Sequence, residues 1–466
     1  MRLDPSLILL VVLALTGCAA TQEQPRDPPD PELVTLEGAL TNRFVKAAEP
    51  GAVRARIRIG TEELTRHERA PANLVLVIDT SGSMRGQPIE DARDAALELL
   101  DALHDDDILS VVAFHSRGEV LVPATRLSSD ARKQVRKQIG KLESRGTTDL
   151  YTGLALGLQE ATRHPQDGIN RMVLLSDGIP NVAQPITSLA DAARRHGVSI
   201  TALGLGLEYD ETLLAEVARR AGGQFHYVEQ SEQVAAVFRD EVLKLQRAVA
   251  SGLALRLLPG PGVSIERVTG QQVERDGRAL IVHLGDLSEG QQRDLVVELS
   301  VAGRKDGAVV ELLDAQLRFQ DMVVGAGVLG RELFLAADAT AEAARLEEGR
   351  DPEVERSAER AEAAAAIVRV VAMARSGDLA GAEAELDAAE QQARRAAERF
   401  DDAELREQAD AMKDLREALP SLISQAEREA LEGMREDGRP PLAVPEEAPA
   451  TVRRVHADAV ECLQGE

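Results

Sequence analysis

Aromatic residues are scarce in this chain of 466 residues, which has no tryptophan, three tyrosines and seven phenylalanines. A hydrophobic core must therefore be built from leucine, valine, isoleucine and alanine. The only cysteines are Cys18 and Cys462, which are too few for a disulfide framework. Basic residues number 54 against 79 acidic ones, and the formal net charge is −25. Such a surface repels nucleic acid; it either favours basic or cation-bridged partners or serves solubility alone.

Signatures of common enzymes are also missing. Neither a Walker-type phosphate loop nor a G-x-S-x-G nucleophile elbow occurs in the chain. Gly204 and Gly206 form half of a dinucleotide-binding fingerprint, but its third glycine is absent. Asp79 resembles the start of an aspartyl-phosphate motif, which needs a second aspartate where Ser81 stands. We therefore predict that the protein is not an enzyme. Four histidines are predicted to be surface or capping residues: His104, His115, His164 and His196.

The first residues are typical of a lipoprotein signal peptide, predicted over residues 1–17. The apolar stretch from Leu7 to Leu15 is too short to span a bilayer, which takes roughly 20 residues. It ends in Leu-Thr-Gly-Cys18, which resembles the lipobox of bacterial lipoproteins, in which the cysteine is lipidated. The alternative is a chance cysteine after a secretory leader. The Pro-rich residues 18–32 are predicted to form a tether.

A lipidated Cys18 predicts a location in the cell envelope. Ala19, rather than an aspartate, follows the cysteine. This resembles the outer-membrane sorting signal of Gram-negative bacteria. The predicted location is therefore the periplasmic face of the outer membrane if the cell is Gram-negative.

The rest of the chain divides into regions of different texture, consistent with about three structural units. Strand and helix patterns alternate over residues 73–247, which predicts a doubly wound, mostly parallel six-stranded α/β sheet. Short alternating apolar runs over 33–70 and 250–325 predict an antiparallel β-sandwich. The two runs flank the α/β region, so we predict that it is inserted into the sandwich.

The C-terminal third is rich in alanine, glutamate and arginine at helical spacing. Residues 331–437 are predicted to form a helical bundle, with its first helix at 331–347 and its last at 420–435. No second copy of any segment appears at a fixed period, so we predict a bundle and not a repeat array. Residues 438–466 contain several prolines and are predicted to be a disordered tail, in which Cys462 is an incidental thiol.

One stretch carries the strongest signal for a functional site. The buried run from Leu74 to Ile78 ends at Asp79, and Ser81 and Ser83 follow at alternate positions. The carboxyl end of a parallel strand is where open α/β sheets place their ligands. One carboxylate and two hydroxyls are oxygen ligands that suit a hard cation such as magnesium. A helix N-cap is the alternative, because serine is a preferred cap residue. The spacing alone leaves both interpretations open.

Two further stretches end in similar residues. Thr148 lies in the Ser-Arg-Gly-Thr-Thr-Asp-Leu loop, and Asp177 ends another buried strand. Together with Asp79, Ser81 and Ser83, they resemble the metal-ion-dependent adhesion site of the von Willebrand factor type A domain. The pattern of that family is Asp-x-Ser-x-Ser, a distant Thr and a distant Asp. The adjacent Thr147 is the alternative for the threonine. The resemblance implies five metal ligands: Asp79, Ser81, Ser83, Thr148 and Asp177.

The resemblance covers residues 73–247 and implies both a fold and a function. It implies a six-stranded sheet in which the strands ending at Asp79 and Asp177 are neighbours. It implies a Mg²⁺ ion, or Mn²⁺ or Ca²⁺, that accepts an Asp or Glu of a partner protein at an open position. The turn before residue 263, Asp286 and the helical region also resemble the segments that accompany such domains in bacterial proteins.

Two functions follow as expectations. The first is a membrane-anchored extracytoplasmic binding protein that captures a partner protein through a cation-bridged acidic residue. The second is an envelope assembly or scaffold protein that acts through its helical region, with the metal serving mainly stability. The intact set of residues in the adhesion-site pattern favours the first. The length of the helical region, which is large for a spacer, favours the second.

Overall fold

The structure is a computed structural model that describes residues 28–64, 71–165, 168–179, 185–207, 209–422 and 448–464. The predicted signal peptide, Cys18 and most of the tether lie outside these residues, as does most of the helix predicted at 420–435. Among the helices of the described part, none combines the length and the apolar character needed to cross a bilayer.

The strands form three sheets, and their bounds follow in chain order. They are β1 (Val34–Leu40), β2 (Phe44–Lys46), β3 (Gly51–Thr61), β4 (Asn73–Asp79), β5 (Ile108–Phe114), β6 (Gly118–Arg126), β7 (Asn170–Ser176), β8 (Val198–Leu205), β9 (Phe225–Val228), β10 (Ala248–Pro259), β11 (Val263–Val268), β12 (Glu274–Asp276), β13 (Ala279–Ser288), β14 (Gln292–Val301), β15 (Val309–Asp321) and β16 (Val328–Thr340).

The α-helices of the described residues are numbered in the same way. They are α1 (Gln87–Ala102), α2 (Ser129–Ile139), α3 (Leu150–Arg163), α4 (Ile186–Arg195), α5 (Glu211–Arg220), α6 (Val234–Gln246), α7 (Ala343–Glu348), α8 (Pro352–Arg375), α9 (Leu379–Phe400), α10 (Ala403–Ala418) and α11 (Ala448–Gln464). Short 3₁₀ helices occur at Gly82–Met84, Ser231–Gln233 and Leu419–Leu422.

The α/β region forms a six-stranded sheet in the order β6-β5-β4-β7-β8-β9. All neighbours are parallel except β5 and β6, so the predicted doubly wound, mostly parallel sheet is confirmed. Every residue of β4 is buried, because helices cover both faces of the sheet. One face packs on α1, α2 and α6, and the other on α3, α4 and α5. The central strand β4 pairs with both β5 and β7, which places the ends of β4 and β7 side by side.

The flanking strands form a sandwich with one shared core. One sheet has the order β1-β3-β14-β11 and the other β12-β13-β10-β15-β16-β2. All pairings are antiparallel except that of β16 with β2. The inward residues alternate along each strand, as Val53, Ala55, Ile57 and Ile59 do in β3. Strands from both sides of the α/β region build this core, so the α/β region is inserted between β3 and β10.

The helix predicted at 331–347 is wrong in its first ten residues, which belong to strand β16. Alanine, leucine and glutamate favour a helix there, but β16 pairs with β15 along almost its whole length. Leu335, Ala337 and Ala339 are buried at every second position, which is the spacing of a strand. Pairing with a strand already in the sheet overrides the local helix propensity.

Helices α8, α9, α10 and α11 bury a common apolar cluster, which includes Ile367, Leu386 and Leu415. Helix α11 corrects the prediction of a disordered tail for residues 448–464, while the rest of the predicted tail, 438–447 and 465–466, lies outside the described residues. Val452, Val455 and Ala459 recur at helical spacing and are buried against the other helices. Burial also raises the pKa of the Cys462 thiol to about 11, so this residue belongs to a packed helix.

A buried ionic cluster joins the α/β region to the sandwich. Arg171 of β7 lies 3.1 Å from a carboxylate oxygen of Glu241 in α6 and 2.8 Å from one of Asp286 in β13. Thr201 also donates a hydrogen bond of 2.7 Å to Glu241. We call Arg171, Glu241 and Asp286 the junction cluster. It fixes the orientation of the two regions with charge as well as apolar contact.

Helix α8 connects the sandwich to the α/β region. Near its start, Glu353 and Glu359 form ion pairs with Arg56 and Arg54 of β3, at 2.8 and 2.7 Å. At its last residue, the guanidinium of Arg375 binds both carboxylate oxygens of Glu211, at 3.0 and 2.6 Å. Both ends of the helix are therefore attached to other regions.

Candidate metal centre

Asp79 lies at the carboxyl end of the central strand β4 and is fully buried. One of its carboxylate oxygens accepts a hydrogen bond of 2.8 Å from the backbone N–H of Ser81. The other accepts one of 2.8 Å from the hydroxyl of Ser176, at the end of β7. The carboxylate is thus fixed by groups from two neighbouring strands, as expected at the carboxyl edge of a parallel sheet.

The loop before α3 is tied to the loop after β4. The backbone N–H of Arg145 donates to the carbonyl of Thr80 at 2.7 Å, and that of Gly82 donates to Gly146 at 3.0 Å. The hydroxyl of Ser144 donates to the carbonyl of Ser81 at 2.5 Å. These three bonds hold the 144–148 loop against the serine loop, which positions Thr148 beside it.

Thr148 and Asp177 meet at the far side of this group. A methyl group in place of the hydrogen of Gly178 would lie 2.7 Å from the hydroxyl oxygen of Thr148. Glycine at this position therefore lets the Asp177 loop approach Thr148 closely. Both Thr148 and Asp177 are buried and line the same cleft as Ser83.

A chain of short contacts links the hydroxyls to the carboxylates. The hydroxyl oxygens of Ser81 and Ser83 are 3.0 Å apart, and the Ser83 hydroxyl donates to Asp177 at 2.8 Å. Burial raises the pKa of Asp79, while hydrogen bonds from Ser81 and Ser176 oppose the shift. Within the described residues, Asp79 forms no ion pair with a lysine or arginine. The cluster therefore combines acceptor oxygens with a buried carboxylate that lacks a protein cation.

The alternatives left open by the sequence are decided by these contacts. Ser81 precedes a short 3₁₀ helix without a side-chain cap, and α1 begins after Gly86. The helix-cap interpretation is therefore wrong. Thr147 is exposed and contacts Ser116, so Thr148 is the threonine of the cluster.

His115 differs from its predicted surface role. It is buried, and its Nε2 lies 3.1 Å from Nε of Arg145, while its backbone carbonyl accepts from Asp149 at 2.7 Å. Burial and the nearby Arg145 lower its pKa. Through these contacts with Arg145 and Asp149, His115 holds the loop that carries Thr148 in place. The other three histidines of that prediction are exposed: His104, His164 and His196.

The donor chemistry of this edge fits a hard divalent cation. All five clustered side chains offer oxygen, the ligand type that Mg²⁺, Mn²⁺ and Ca²⁺ prefer. Within the described residues, at this edge and elsewhere, no group of three or more His, Cys, Asp or Glu side chains is arranged to hold a metal ion, so a cation here would depend on hydroxyl oxygens as well as carboxylates. The sequence pattern missed the supporting roles of Ser144 and Ser176. A polar residue at the end of the otherwise apolar strand β7 was the available signal for Ser176.

Comparison with known proteins places this edge in a family. Residues 73–240 match the von Willebrand factor type A domain and include all five clustered residues. An uncharacterized protein of Synechocystis sp. is 30% identical over 305 residues, which cover 63% of this chain and 72% of that protein. The chain belongs to the von Willebrand factor type A domain family. The α/β region is its type A domain.

Two solved structures resemble more than the type A domain. A von Willebrand factor type A protein from Catenulispora acidiphila aligns with a TM-score of 0.66 at 19% identity, covering 83% of this chain and 90% of that one. The ArnB paralog VWA2 from Sulfolobus acidocaldarius aligns with a TM-score of 0.60 at 15% identity, covering 92% and 98%. The arrangement of a type A domain with its additional sheets and helices therefore recurs in other proteins.

Proposed function

We propose that this protein binds a partner protein through a divalent cation at the carboxyl edge of its type A domain. The observation that carries the proposal is the convergence of the clustered oxygens around Asp79, a buried carboxylate without an ion pair in the described residues. Membership of the type A family suggests protein–protein interaction or adhesion. We further propose that lipidation of Cys18 anchors the protein in the cell envelope, at the outer membrane if the cell is Gram-negative.

The proposed ligands of the cation are Asp79, Ser81, Ser83, Thr148 and Asp177. Mg²⁺ is the first candidate, because it accepts neutral hydroxyl ligands and retains water; Mn²⁺ and Ca²⁺ are the alternatives. When bound, the cation supplies positive charge that an Asp or Glu of the partner can bind. The remaining groups of the edge hold the ligands in place, as Ser144 and His115 do for the Thr148 loop. None of these roles requires a chemical reaction.

Thermal unfolding tests the cation site itself. Because a cation that binds only the folded protein stabilises it by RT ln(1 + [L]/Kd), Mg²⁺ at 100 times its Kd adds about 2.7 kcal/mol. We expect this stabilisation in the wild type and in Asp94→Asn, an exposed control on α1. We expect none in Asp79→Asn. A melting temperature that is indifferent to Mg²⁺, Mn²⁺ and Ca²⁺ in the wild type contradicts the proposal.

Capture of a partner tests the binding function. Detergent extracts of the source membranes are passed over the immobilised protein with Mg²⁺, with a chelator, or with Asp79→Asn in its place. We expect a set of proteins that the wild type retains only in Mg²⁺, and that Asp94→Asn also retains. Equal retention under all three conditions would contradict cation-bridged binding.

An assembly role through the helical region is the second candidate function. The observation that favours it is the separate apolar cluster of α8 to α11, which is more than a spacer needs. If the protein acts through its helical region, Asp79→Asn should reverse the defect of a strain that lacks the protein as fully as the wild type does. Failure of Asp79→Asn to reverse it, with normal protein levels, favours the cation-bridged role instead.

A further inference from the structure

The carboxyl edge of the type A domain, where Asp79, Ser81, Ser83, Thr148 and Asp177 cluster, is called the cation edge here. It forms one wall of a cleft, and the helical region forms the opposite wall. This cleft of about 490 Å³ is lined on one side by Ser83, Thr148 and Asp177. On the other side it is lined by Arg375, Leu422 and Arg453. A ligand that reaches the proposed cation must therefore pass between the type A domain and the helical region.

An ionic cluster fixes the distance between these walls. Glu211, at the start of α5, is fully buried. Arg375 binds both of its carboxylate oxygens, and Arg453 approaches one of them at 3.6 Å. Arg453 also donates to the backbone carbonyl of Tyr209 at 3.0 Å. The helical region thus holds the loop between β8 and α5, which contributes Leu207 to the cleft.

The second wall is also attached to the sandwich. Helix α8 ends at Arg375 in the cleft, and its first half is paired with Arg54 and Arg56 of β3. A shift of the wall away from the cation edge would break contacts at both ends of this helix. The width of the cleft is therefore a property of the whole fold.

The type A side of the cleft carries two exposed apolar residues. Ile179 is 57% exposed and Leu207 is 43% exposed, and both line the cleft beside the clustered oxygens. Single exposed apolar residues are ordinary, but two that line one cleft beside a candidate site offer apolar surface that a partner can cover. On the opposite wall, the guanidinium groups of Arg375 and Arg453 both contact Glu211, which does not line the cleft.

We infer that the cleft selects an acidic residue with apolar neighbours on an extended segment of the partner, such as a loop or a chain end. This inference rests on the proposed function and specifies its partner class. The carboxylate binds the cation, the apolar neighbours cover Ile179 and Leu207, and the segment lies against the arginine wall. The two walls favour such a segment over a broad, flat face of a folded domain.

Fluorescence anisotropy with two labelled nine-residue peptides tests the apolar requirement. One peptide has the sequence Gly-Ser-Gly-Leu-Asp-Leu-Gly-Ser-Gly, and the other has serine in place of both leucines. Covering part of two apolar side chains is worth about tenfold in affinity, so we expect the leucine peptide to bind about tenfold more tightly in Mg²⁺. A chelator abolishes binding of both.

Paired variants locate the effect in the cleft. The double variant Ile179→Ser and Leu207→Ser is expected to remove the preference for the leucine peptide. The control is Val309→Ser and Val328→Ser, at two residues of the sandwich that are 70% and 71% exposed. The control keeps the preference. Stabilisation by Mg²⁺ stays unchanged in both double variants, since neither touches the proposed ligands.

Arg375→Met tests the helical wall, because it removes the contact with Glu211 that fixes the cleft. We expect the affinity for the leucine peptide to fall severalfold, while Mg²⁺ still raises the melting temperature. Arg375→Lys, which keeps the charge, recovers part of the affinity and serves as the second variant if Arg375→Met unfolds.

The possible results separate this inference from the proposed function. Equal binding of both peptides in Mg²⁺ overturns the apolar selection and leaves the cation site standing. Stabilisation by Mg²⁺ without binding of either peptide also overturns the inference. Unchanged peptide affinity in folded Arg375→Met overturns the role of the helical wall. Absence of any effect of divalent cations on melting or binding overturns the proposed function itself.

Discussion

Among the buried carboxylates of this protein, those of the junction cluster and of the cation edge differ in their surroundings. In the junction cluster, Glu241 and Asp286 share the guanidinium of Arg171. At the cation edge, Asp79 is equally buried, but it accepts hydrogen bonds from neutral groups and has no ion pair in the described residues. The junction cluster therefore contains a paired arginine, whereas no lysine or arginine of the described residues pairs with Asp79.

The pKa values of Glu241 and Asp79 reflect this difference. Burial alone would raise the pKa of Glu241, but Arg171, His226 and Lys244 lower it well below its usual value. Burial raises the pKa of Asp79, and its hydrogen bonds do not reverse the shift. The contrast is the one expected between a buried carboxylate with a charged partner and a buried carboxylate with neutral partners only.

The largest expected change in the free energy of unfolding comes from replacing Arg171, the only cation of the junction cluster. Arg171→Met leaves the buried Glu241 and the half-buried Asp286 without the guanidinium that pairs with both. Breaking a buried pair typically costs 3–5 kcal/mol of stability, and we expect about 3 kcal/mol because Thr201 still donates to Glu241. Urea unfolding monitored by circular dichroism measures it. A loss below about 1 kcal/mol would mean that the junction carboxylates do not depend on Arg171.

A smaller effect of opposite sign is expected at the cation edge. In a chelator, Asp79→Asn replaces a buried charge without an ion pair by an amide of the same shape. The amide oxygen can still accept from the backbone of Ser81, and the hydroxyl of Ser176 can rotate to accept from the amide nitrogen. We expect a gain of about 1 kcal/mol in the same urea experiment. A loss of stability in the chelator would remove the contrast between the two regions.

The smallest effect is expected where an ion pair is exposed. Lys133 and Asp130 form a pair of 2.9 Å on α2, with side chains 75% and 93% exposed. Lys133→Met removes one positive charge, as Arg171→Met does, but water screens this pair. We expect a change of about 0.5 kcal/mol or less. A change comparable to that of Arg171→Met would show that burial is not what separates the two cases.

The α/β sheet could be predicted because its signals are local. Strands β4, β7 and β8 are buried apolar runs that are each followed by a helix, and this alternation predicts a doubly wound, mostly parallel sheet. Strand β16 and helix α11 were missed because the local composition favours a helix in the first segment and disorder in the second. Leucine and alanine in β16 pack by pairing with β15, and the valines of α11 pack on helices distant in sequence.

The five residues that cluster at the cation edge could also be picked out from the sequence, because their pattern resembles that of the type A family. The opposite wall of the cleft could not. Glu211 and Arg375 are 164 positions apart, and neither lies in a recognisable pattern. Their contact depends on how the helical region docks on the type A domain, which no local spacing encodes.

The insertion of the type A domain between β3 and β10 has a mechanical consequence. Force applied to the type A domain leaves it through two covalent connections at once. Strand β3 lies between β1 and β14, and β10 lies between β13 and β15, so each connection begins in a strand bonded on both sides. The load is thus divided between interior strands of two sheets, which must be sheared from their neighbours before the type A domain can be pulled away.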